Sequence, residues 1–390
     1  MKEKIIIIGN GAAGNYALEE IINQPSTFDI TVITTEAAPA YFRPMLSEYI
    51  SASEIPNRFF IHEPSWYDSN NIHVLYQTEV KSLDLSNQRV ILDDDEALAY
   101  DRLILCTGSK NFIPPMPGSK KENVVDLRTF SDAEYIKEKA KTAKEIVIIG
   151  GGLLGLELGW QLRKLNIDVT VVEMMQRLLP RQLDEEASTL FEEKVAATGI
   201  KVIKGVQTQE IMGDNVATGV LLGTGTVLNA DFVVFSIGIR ADVALAKNAG
   251  LNIDRGILVD DFMQTNIKNV YAAGDCAEFA GMNYAIWPEA VEQGKIAGLN
   301  AAGIKAVYEP VVPFNIYHGM NMRLFSIGDV GGNPANTYAV QRVGDTENFE
   351  KYFYVNDTLV GGILMGNISK SGKLKKAVVN GLKRSEFESL

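Results

Sequence analysis

Apolar residues in this chain come in short, unbroken runs that end in glycine. Ile5, Ile6, Ile7 and Ile8 run into Gly9-Asn10-Gly11-Ala12-Ala13-Gly14, and Ile146, Val147, Ile148 and Ile149 run into Gly150-Gly151-Gly152-Leu153-Leu154-Gly155. Runs of this length bounded by turn residues read as strands, and each glycine turn opens a helical segment. A second apolar strand follows each helix, one over residues 29–35 containing Ile30-Thr31-Val32-Ile33, the other containing Val169-Thr170-Val171-Val172. A glutamate closes each of them, Glu36 and Glu173. This is the pattern of a dinucleotide-binding βαβ unit. The first glycine permits the tight turn, the second lets backbone approach a pyrophosphate, and the third lets the helix pack close to the strand. The helix N-terminus offers N–H groups and a positive dipole end to the phosphates, and the carboxylate accepts hydrogen bonds from ribose hydroxyls. A single glycine motif is weak, but two complete copies point to two adenine dinucleotides on one chain.

The rest of the pattern orders these units. Strand-like segments fall at 73–76 and 90–92, followed by Asp93-Asp94-Asp95-Glu96, a charge block that reads as a solvated turn. Arg102-Leu103-Ile104-Leu105-Cys106-Thr107-Gly108-Ser109 is a strand ending in small residues, and Ile113-Pro114-Pro115-Met116-Pro117-Gly118 has the look of a domain linker. The second βαβ unit begins at Lys144 and runs on to Phe232-Val233-Val234-Phe235, which Ser236-Ile237-Gly238 ends. A strand at Asn269-Val270-Tyr271-Ala272-Ala273-Gly274-Asp275 delivers an aspartate into a turn. A helix is predicted over 288–301, with Pro288 at or near its first position. From Pro310 short strands and glycine turns give way to a basic helix, which predicts a third domain of about 80 residues. The motif order implies that the second nucleotide domain is inserted within the first. The predicted fold class is therefore α/β, with two nested Rossmann-like domains, 1–112 with 237–309 and 113–236, plus a small C-terminal α+β domain over 310–390.

Composition narrows the chemistry. The 390 residues suit two or three domains. No apolar run approaches the roughly 20 residues a bilayer span needs, and the N-terminal lysines and isoleucines break into glycine too early for a signal peptide. A cytoplasmic protein without membrane contact is expected. The two cysteines, Cys106 and Cys276, form no C-x-x-C pair, which excludes four-cysteine clusters and a local redox disulfide. His62, His73 and His318 lack ligand spacing, so no metal is expected and the imidazoles read as structural or surface groups. A net charge of −12 argues against nucleic acid. Residues 365–390 nonetheless hold six Lys/Arg against two Glu.

With these motifs in this order, the chain resembles the two-dinucleotide flavoproteins, the pyridine nucleotide-disulfide oxidoreductase superfamily that includes glutathione reductase, NADH oxidase and rubredoxin reductase. Leu105-Cys106-Thr107-Gly108-Ser109 is similar to the family's A-T-G-type motif, with Cys106 in place of alanine, and the 270–275 segment to its second FAD motif. The resemblance covers residues 1–305. It implies FAD on the first glycine turn and NADH on the second, the two domains facing one cleft. Glu36 would then hold the FAD adenosine ribose and Asp275 a ribityl hydroxyl. The helix entered at Pro288 would aim its N-terminus at the flavin C2 carbonyl, where the dipole favours negative charge.

Departures from the family matter as much. Tyr41-Phe42-Arg43-Pro44-Met45-Leu46-Ser47-Glu48-Tyr49 occupies the segment where disulfide reductases carry a cysteine pair and cysteine-dependent oxidases a single cysteine, and it has none. The C-terminal His-x-x-Pro-Thr acid–base motif is also missing. What remains resembles the NADH:rubredoxin oxidoreductases, through Arg43-Pro44-x-Leu46-Ser47, Arg177-Leu178-Leu179-Pro180-Arg181-Gln182-Leu183-Asp184 and Gly361-Gly362-Ile363-Leu364-Met365-Gly366. Ferredoxin reductases of oxygenase systems usually carry lysine where Glu48 stands.

The expected activity is hydride transfer from NADH to FAD, then single electrons to a small acidic carrier, rubredoxin above all. A cysteine-independent NADH oxidase using oxygen and a flavoprotein redox sensor are the alternatives. The resemblance implies that Arg43 and Pro44 touch the flavin and that Glu157 lies near the nicotinamide; the plainer reading of Glu157 is a carboxylate favoured by its helix N-terminus. The expected cofactor-binding set is Gly9, Gly11, Ala12, Ala13, Gly14, Glu36, Arg43, Thr107, Gly108, Gly150, Gly152, Leu153, Leu154, Gly155, Glu173, Gly238, Gly274, Asp275 and Trp287. Trp287 either packs by the isoalloxazine or fills the core, and Cys106 and Cys276 read as small buried thiols. Glu173 would favour NADH over NADPH by repelling a 2′-phosphate, with Arg177 close enough to soften that preference. The basic segment Lys370, Lys373, Lys375, Lys376, Lys383 and Arg384 is either a solvated helix face or a docking patch for the carrier.

Overall fold

The computed structural model describes residues 2–25 and 28–390. Backbone contacts divide the chain into two units, Met1–Asn111 with Arg128–Ala133 and Gly238–Val311, and Phe112–Leu127 with Glu134–Ile237 and Val312–Leu390.

The first unit is built on a five-stranded parallel sheet in the order Val270–Ala272, Arg102–Leu105, Lys4–Ile8, Asp29–Ile33, Ile72–Leu75. The isoleucine run is unbroken because both faces of this sheet are covered. Ile5 and Ile7 pack with the helices Ala12–Ile22 and Trp287–Ala301, while Ile6 and Ile8 pack with Leu83, Val90 and Leu103 on the other side. Leu83 and Val90 come from an antiparallel layer of Val80–Asp84, Arg89–Leu92 and Ala97–Ala99. The acidic block 93–96 is an exposed turn there, with Asp95 left-handed at φ 69°. The second strand ends at Ile33, two residues short of its expected end, because Thr34 turns its hydroxyl onto the Glu36 amide (3.2 Å).

The two helices run in the same direction and meet without intervening side chains. A Cβ on Gly294 would lie 2.3 Å from the Ala13 carbonyl oxygen, and one on Gly298 would lie 2.3 Å from that of Ala17. We call Ala12–Ile22 the first glycine-turn helix and Trp287–Ala301 the Trp287 helix.

The second unit repeats the parallel sheet in the order Lys201–Lys204, Asp168–Glu173, Glu145–Ile149, Phe232–Phe235, Val124–Asp126, with the helix Leu153–Lys164 following the second glycine turn. Thr208–Met212, Gly219–Leu222 and Val227–Asn229 form an antiparallel layer. The same unit holds an antiparallel sheet ordered Phe314–Gly319, Met322–Gly328, Thr358–Met365, Phe349–Val355, Ala339–Gly344. The helices Ser371–Val379 and Arg384–Ser389 cover that sheet with Leu374, Ala377 and Phe387. The proline-rich stretch 113–118 is not a free linker, because Ile113 and Met116 pack on the hydrophobic core of this unit.

The helix contact gives a direct test of the packing. Gly298→Ala puts a methyl group against backbone that cannot rotate away, and overpacking of this kind costs about 1–3 kcal/mol. Thermal unfolding followed by tryptophan fluorescence should show a clear fall in Tm. Gly372→Ala is the control, since open space surrounds that helical position, and it should leave Tm unchanged or raise it. Equal Tm values for the two variants would contradict the close helix contact.

Candidate functional site

The two glycine turns have the same geometry. Gly9 and Gly150 end their strands at φ 105° and 113°, where a side chain is strained. A Cβ on Gly9 would lie 2.0 Å from the Cys106 carbonyl oxygen, and one on Gly150 would lie 2.1 Å from that of Ser236. Gly14 and Gly155 let each helix close on its turn, their Cβ positions falling 1.9 and 2.4 Å from the carbonyl oxygens of Gly9 and Gly150. The middle glycines face open space. Nothing lies within 4 Å of a Cβ on Gly152, and the nearest atom to one on Gly11 is a terminal nitrogen of Arg43 at 4.0 Å. Gly11 and Gly152 are the N-caps of their helices, neither helix has a side-chain cap, and neither has an acidic residue in its first turn. Both turns therefore present uncapped helix N-termini to an approaching anion, as a dinucleotide pyrophosphate requires.

In the first unit the turn is surrounded by ion pairs. Arg43 donates to Glu36 at 2.9 Å and to the Tyr41 hydroxyl at 2.9 Å, and it also bonds the Arg128 carbonyl. Tyr41 donates in turn to Glu36 at 2.6 Å. The structure thus brings Arg43, Glu36 and Gly11 together and leaves Pro44 exposed beside them. A second pair sits at the 270–275 segment, where Asp275 accepts from Arg128 and from the Ser109 hydroxyl, both at 2.7 Å. Gly108 turns the chain at φ 70° beside Arg128, and the Thr107 hydroxyl donates to the Asp242 carbonyl at 2.6 Å. Gly238 is left-handed at φ 106° with open space around it.

The Trp287 helix runs past the first glycine turn. Ala13 is the second residue of its helix and faces Gly294, the eighth of its own. At 1.5 Å per residue the Trp287 helix therefore starts about 9 Å beyond the start of the first glycine-turn helix. Trp287 packs edge-on against Phe42 with ring centroids 4.7 Å apart, and it also borders the core. Gln293 on this helix accepts from the Gly274 amide at 2.9 Å and approaches Glu289 at 3.4 Å. Glu289 is 5% exposed and accepts from the Tyr308 hydroxyl at 3.1 Å. Burial pushes its carboxyl up to about 7, with Asp275 adding to the rise and the Tyr308 and Tyr284 hydrogen bonds opposing it.

In the second unit Glu173 accepts from the amides of Gly151 and Met175, both at 2.7 Å, so the carboxylate is fixed at the glycine turn. Leu153 opens the helix and Leu154 projects its side chain into solvent. Glu157 is half-buried one turn on, and its charge adds to the burial that raises the Tyr317 phenol. Arg177 donates to the Pro180 carbonyl of its own loop at 3.2 Å. The C-terminal cations are largely held by their own domain. Lys373, Lys375 and Arg384 lie over Phe387, Phe314 and Tyr354, Lys370 pairs with Glu350, and Lys383 bonds Asn356 and Thr358. Lys370, Lys376 and Lys383 are exposed.

Sequence reasoning missed Arg128, Tyr41 and Ser109. The signal for Arg128 was local. Thr129 and Asp132 form a reciprocal helix cap, the Asp132 carboxylate accepting from the Arg128 and Thr129 amides, and T-x-x-D marks a helix start. Cys106 and Cys276 are buried and free, and burial pushes both thiols up. His62 stacks on Trp66 and bonds Glu19, while His73 and His318 are exposed. No group of three or more potential metal ligands forms among the described residues. No helix among them is long and apolar enough to cross a membrane.

Residues 3–294 match the pyridine nucleotide-disulphide oxidoreductase family, and residues 313–382 match the rubredoxin NAD+ reductase C-terminal domain. The chain is 34% identical over 377 residues to a nitrite reductase (NAD(P)H) of Bacillus subtilis, covering 96% of this chain and 47% of that protein, so it spans about half of that relative. It is 30% identical over 375 residues to NADH-rubredoxin oxidoreductase of Clostridium acetobutylicum, covering 96% of this chain and 94% of that one. The structure of the covalent putidaredoxin reductase–putidaredoxin complex aligns with a TM-score of 0.90 at 26% identity, over 99% of this chain and 95% of that chain.

The buried Glu289 carboxyl gives a pH test. A carboxyl raised from 4.5 to about 7 in the folded state binds its proton more tightly there than in the unfolded chain. Stability from this group is therefore complete below about pH 4.5 and declines as pH rises towards 7. Glu289→Gln, which keeps an acceptor for Tyr308, should stabilise the protein at pH 8 by on the order of 2 kcal/mol and have little effect at pH 4. Chemical denaturation at the two pH values measures this, and equal effects at both would contradict it.

Proposed function

The chain belongs to the pyridine nucleotide-disulphide oxidoreductase family, whose cofactors are FAD and NAD(H), and we propose that it takes hydride from NADH and passes single electrons to a small iron–sulfur carrier of rubredoxin type. The observation that carries this reading is the state of the two cysteines. Both are buried with raised thiols, and none lies in the 41–49 segment. A thiolate is the reactive form of cysteine, so the chain offers no internal disulfide to accept electrons, and they leave from the flavin. Bound FAD supplies the conversion of a two-electron hydride into single electrons.

The chain's own residues bind and orient in this proposal. Residues 1–112 with 237–309 hold FAD, and 113–236 hold NADH. Gly9, Gly11, Ala12, Ala13 and Gly14 cradle the FAD pyrophosphate, with Arg43 adding positive charge beside Gly11 and Glu36 receiving the adenosine ribose. Thr107, Gly108, Gly274 and Asp275 border the ribityl chain. The 9 Å advance of the Trp287 helix suits a ligand that continues from the pyrophosphate to an isoalloxazine, where that helix N-terminus favours negative charge. Pro44 and Trp287 border the ring. Gly150, Gly152, Leu153, Leu154, Gly155, Glu173 and Gly238 take the nicotinamide dinucleotide, with Glu157 near its nicotinamide. The match of residues 313–382 to a rubredoxin reductase domain supports a carrier of that kind, and the relative of 94% matched length is named for rubredoxin. Lys370, Lys376 and Lys383 supply the exposed charge of a docking surface for an acidic carrier.

Two outcomes check these assignments. Glu173→Ala should narrow the NADH/NADPH ratio of kcat/KM by about tenfold, the scale of a lost charge-assisted hydrogen bond; an unchanged ratio would remove Glu173 from the ribose site. In steady-state turnover, NADH should be oxidised with rubredoxin faster than with ferredoxin or with oxygen alone. The rubredoxin kcat/KM should fall steeply with salt while reduction of a neutral quinone does not. Full turnover on oxygen without carrier would instead identify an oxidase, and tight NADH binding with slow reoxidation by every acceptor would identify a sensor.

A further inference from the structure

The loop that follows Glu173 is clamped at both ends. At its start Leu178 reaches back to the glycine turn, its Cδ2 only 2.6 Å from where a Cβ on Gly151 would stand, and the Glu173 carboxylate caps Gly151 and Met175. Leu178, Leu179 and Leu183 are fully buried, and Leu179 is held left-handed at φ 51°, a strained conformation for a branched residue. Such strain persists only where surrounding contacts over-determine it.

The helix Glu185–Ala197 holds Leu178, its Ser188 hydroxyl donating to the Leu178 carbonyl at 2.8 Å and its Glu192 carboxylate accepting from the Leu178 amide at 3.2 Å, and the C-terminal sheet in turn holds the start of that helix and the end of the loop. Lys351 on Phe349–Val355 is 9% exposed and reaches Asp184 at 2.5 Å and Glu186 at 2.7 Å. Arg342 on the neighbouring strand binds Glu186 at 3.0 Å, and the Ser326 hydroxyl donates to the Gln182 carbonyl at 2.6 Å. Asp184 also caps the helix Glu185–Ala197 through the Ala187 amide. A cation this buried is costly to strip of its partners, so the sheet and the loop end are held as one piece.

We propose that Lys351 is a positioning residue for NADH, by which the C-terminal domain fixes the 174–184 loop on Gly151 and so sets the Glu173 carboxylate that receives the adenosine ribose. This rests on the reading that the second glycine turn binds NAD(H). The C-terminal domain is then part of the nucleotide site as well as a candidate surface for the carrier.

The test is binding of ADP-ribose and of NAD+ to the FAD-loaded protein by calorimetry, with kcat and KM for NADH measured on a neutral quinone. ADP-ribose keeps the adenosine ribose and pyrophosphate and lacks only the nicotinamide, so a defect in loop position should weaken both ligands alike. Lys351→Met should raise both Kd values on the order of tenfold, the scale of coupling through a packed network. It should raise the NADH KM with kcat nearly unchanged, and Lys351→Arg should restore binding. Ser326→Ala, which removes one hydroxyl, should act in the same direction and guards against a misfolded Lys351→Met. Glu173→Ala is the control for the site itself. Wild-type affinity in Lys351→Met and Ser326→Ala, with weakened binding in Glu173→Ala, would overturn the proposal and leave the site reading intact. Wild-type affinity in Glu173→Ala as well would overturn both.

Discussion

Close backbone contact, made possible by missing side chains, is the constraint on which the rest of this molecule depends. Gly14 on the Gly9 carbonyl and Gly155 on that of Gly150 seat each helix directly on its turn. Gly294 and Gly298 then seat the Trp287 helix on Ala13 and Ala17. These contacts are short and rigid because no rotamer can absorb a change, and protein interiors transmit such strain. Within the first unit they fix how the first glycine-turn helix and the Trp287 helix lie against each other. The charged residues around the first turn, Arg43 with Glu36 and Arg128 with Asp275, are arranged on that scaffold rather than forming it.

Much of this was legible in the chain because the determinants are local. An apolar run, a glycine, a helix and a closing glutamate lie within about 30 residues, and the structure returns both units with the same geometry at Gly9 and Gly150. The βαβ pattern carried the Rossmann-like domains, and the structure shows Ile5 to Ile8 covered on both faces of a parallel sheet. What was not legible depends on long-range placement. Arg128 meets Asp275 across 147 residues of sequence and Lys351 meets Glu186 across 165, and a charged residue read in isolation is indistinguishable from a solvated one. The stretch 113–118 lies where the second unit begins, and its prolines hide that Ile113 and Met116 are partly buried against that unit's core. The C-terminal lysines could be counted but not judged. Only the structure shows Lys373, Lys375 and Arg384 lying over aromatic rings.

The distribution of charge bears on the chemistry. Near the start of the Trp287 helix burial holds the Glu289 carboxyl high, while Arg128 pairs with Asp275. Neither buried cysteine is poised as a nucleophile. The chain therefore concentrates its binding groups on holding two dinucleotides and leaves the redox change to them. A C-terminal domain tied to the Glu173 loop through Lys351, Arg342 and Ser326 adds a second means of positioning one of those nucleotides.

The central claim is that electrons enter as hydride and leave singly to an iron–sulfur carrier. Anaerobic single-turnover mixing tests it most directly. The FAD-loaded protein, given one equivalent of NADH and then excess oxidised rubredoxin, should reduce two carrier molecules per NADH while the flavin returns to its oxidised absorbance. Reduced flavin that persists in the presence of oxidised rubredoxin, and reoxidises only when oxygen is admitted, would contradict the account.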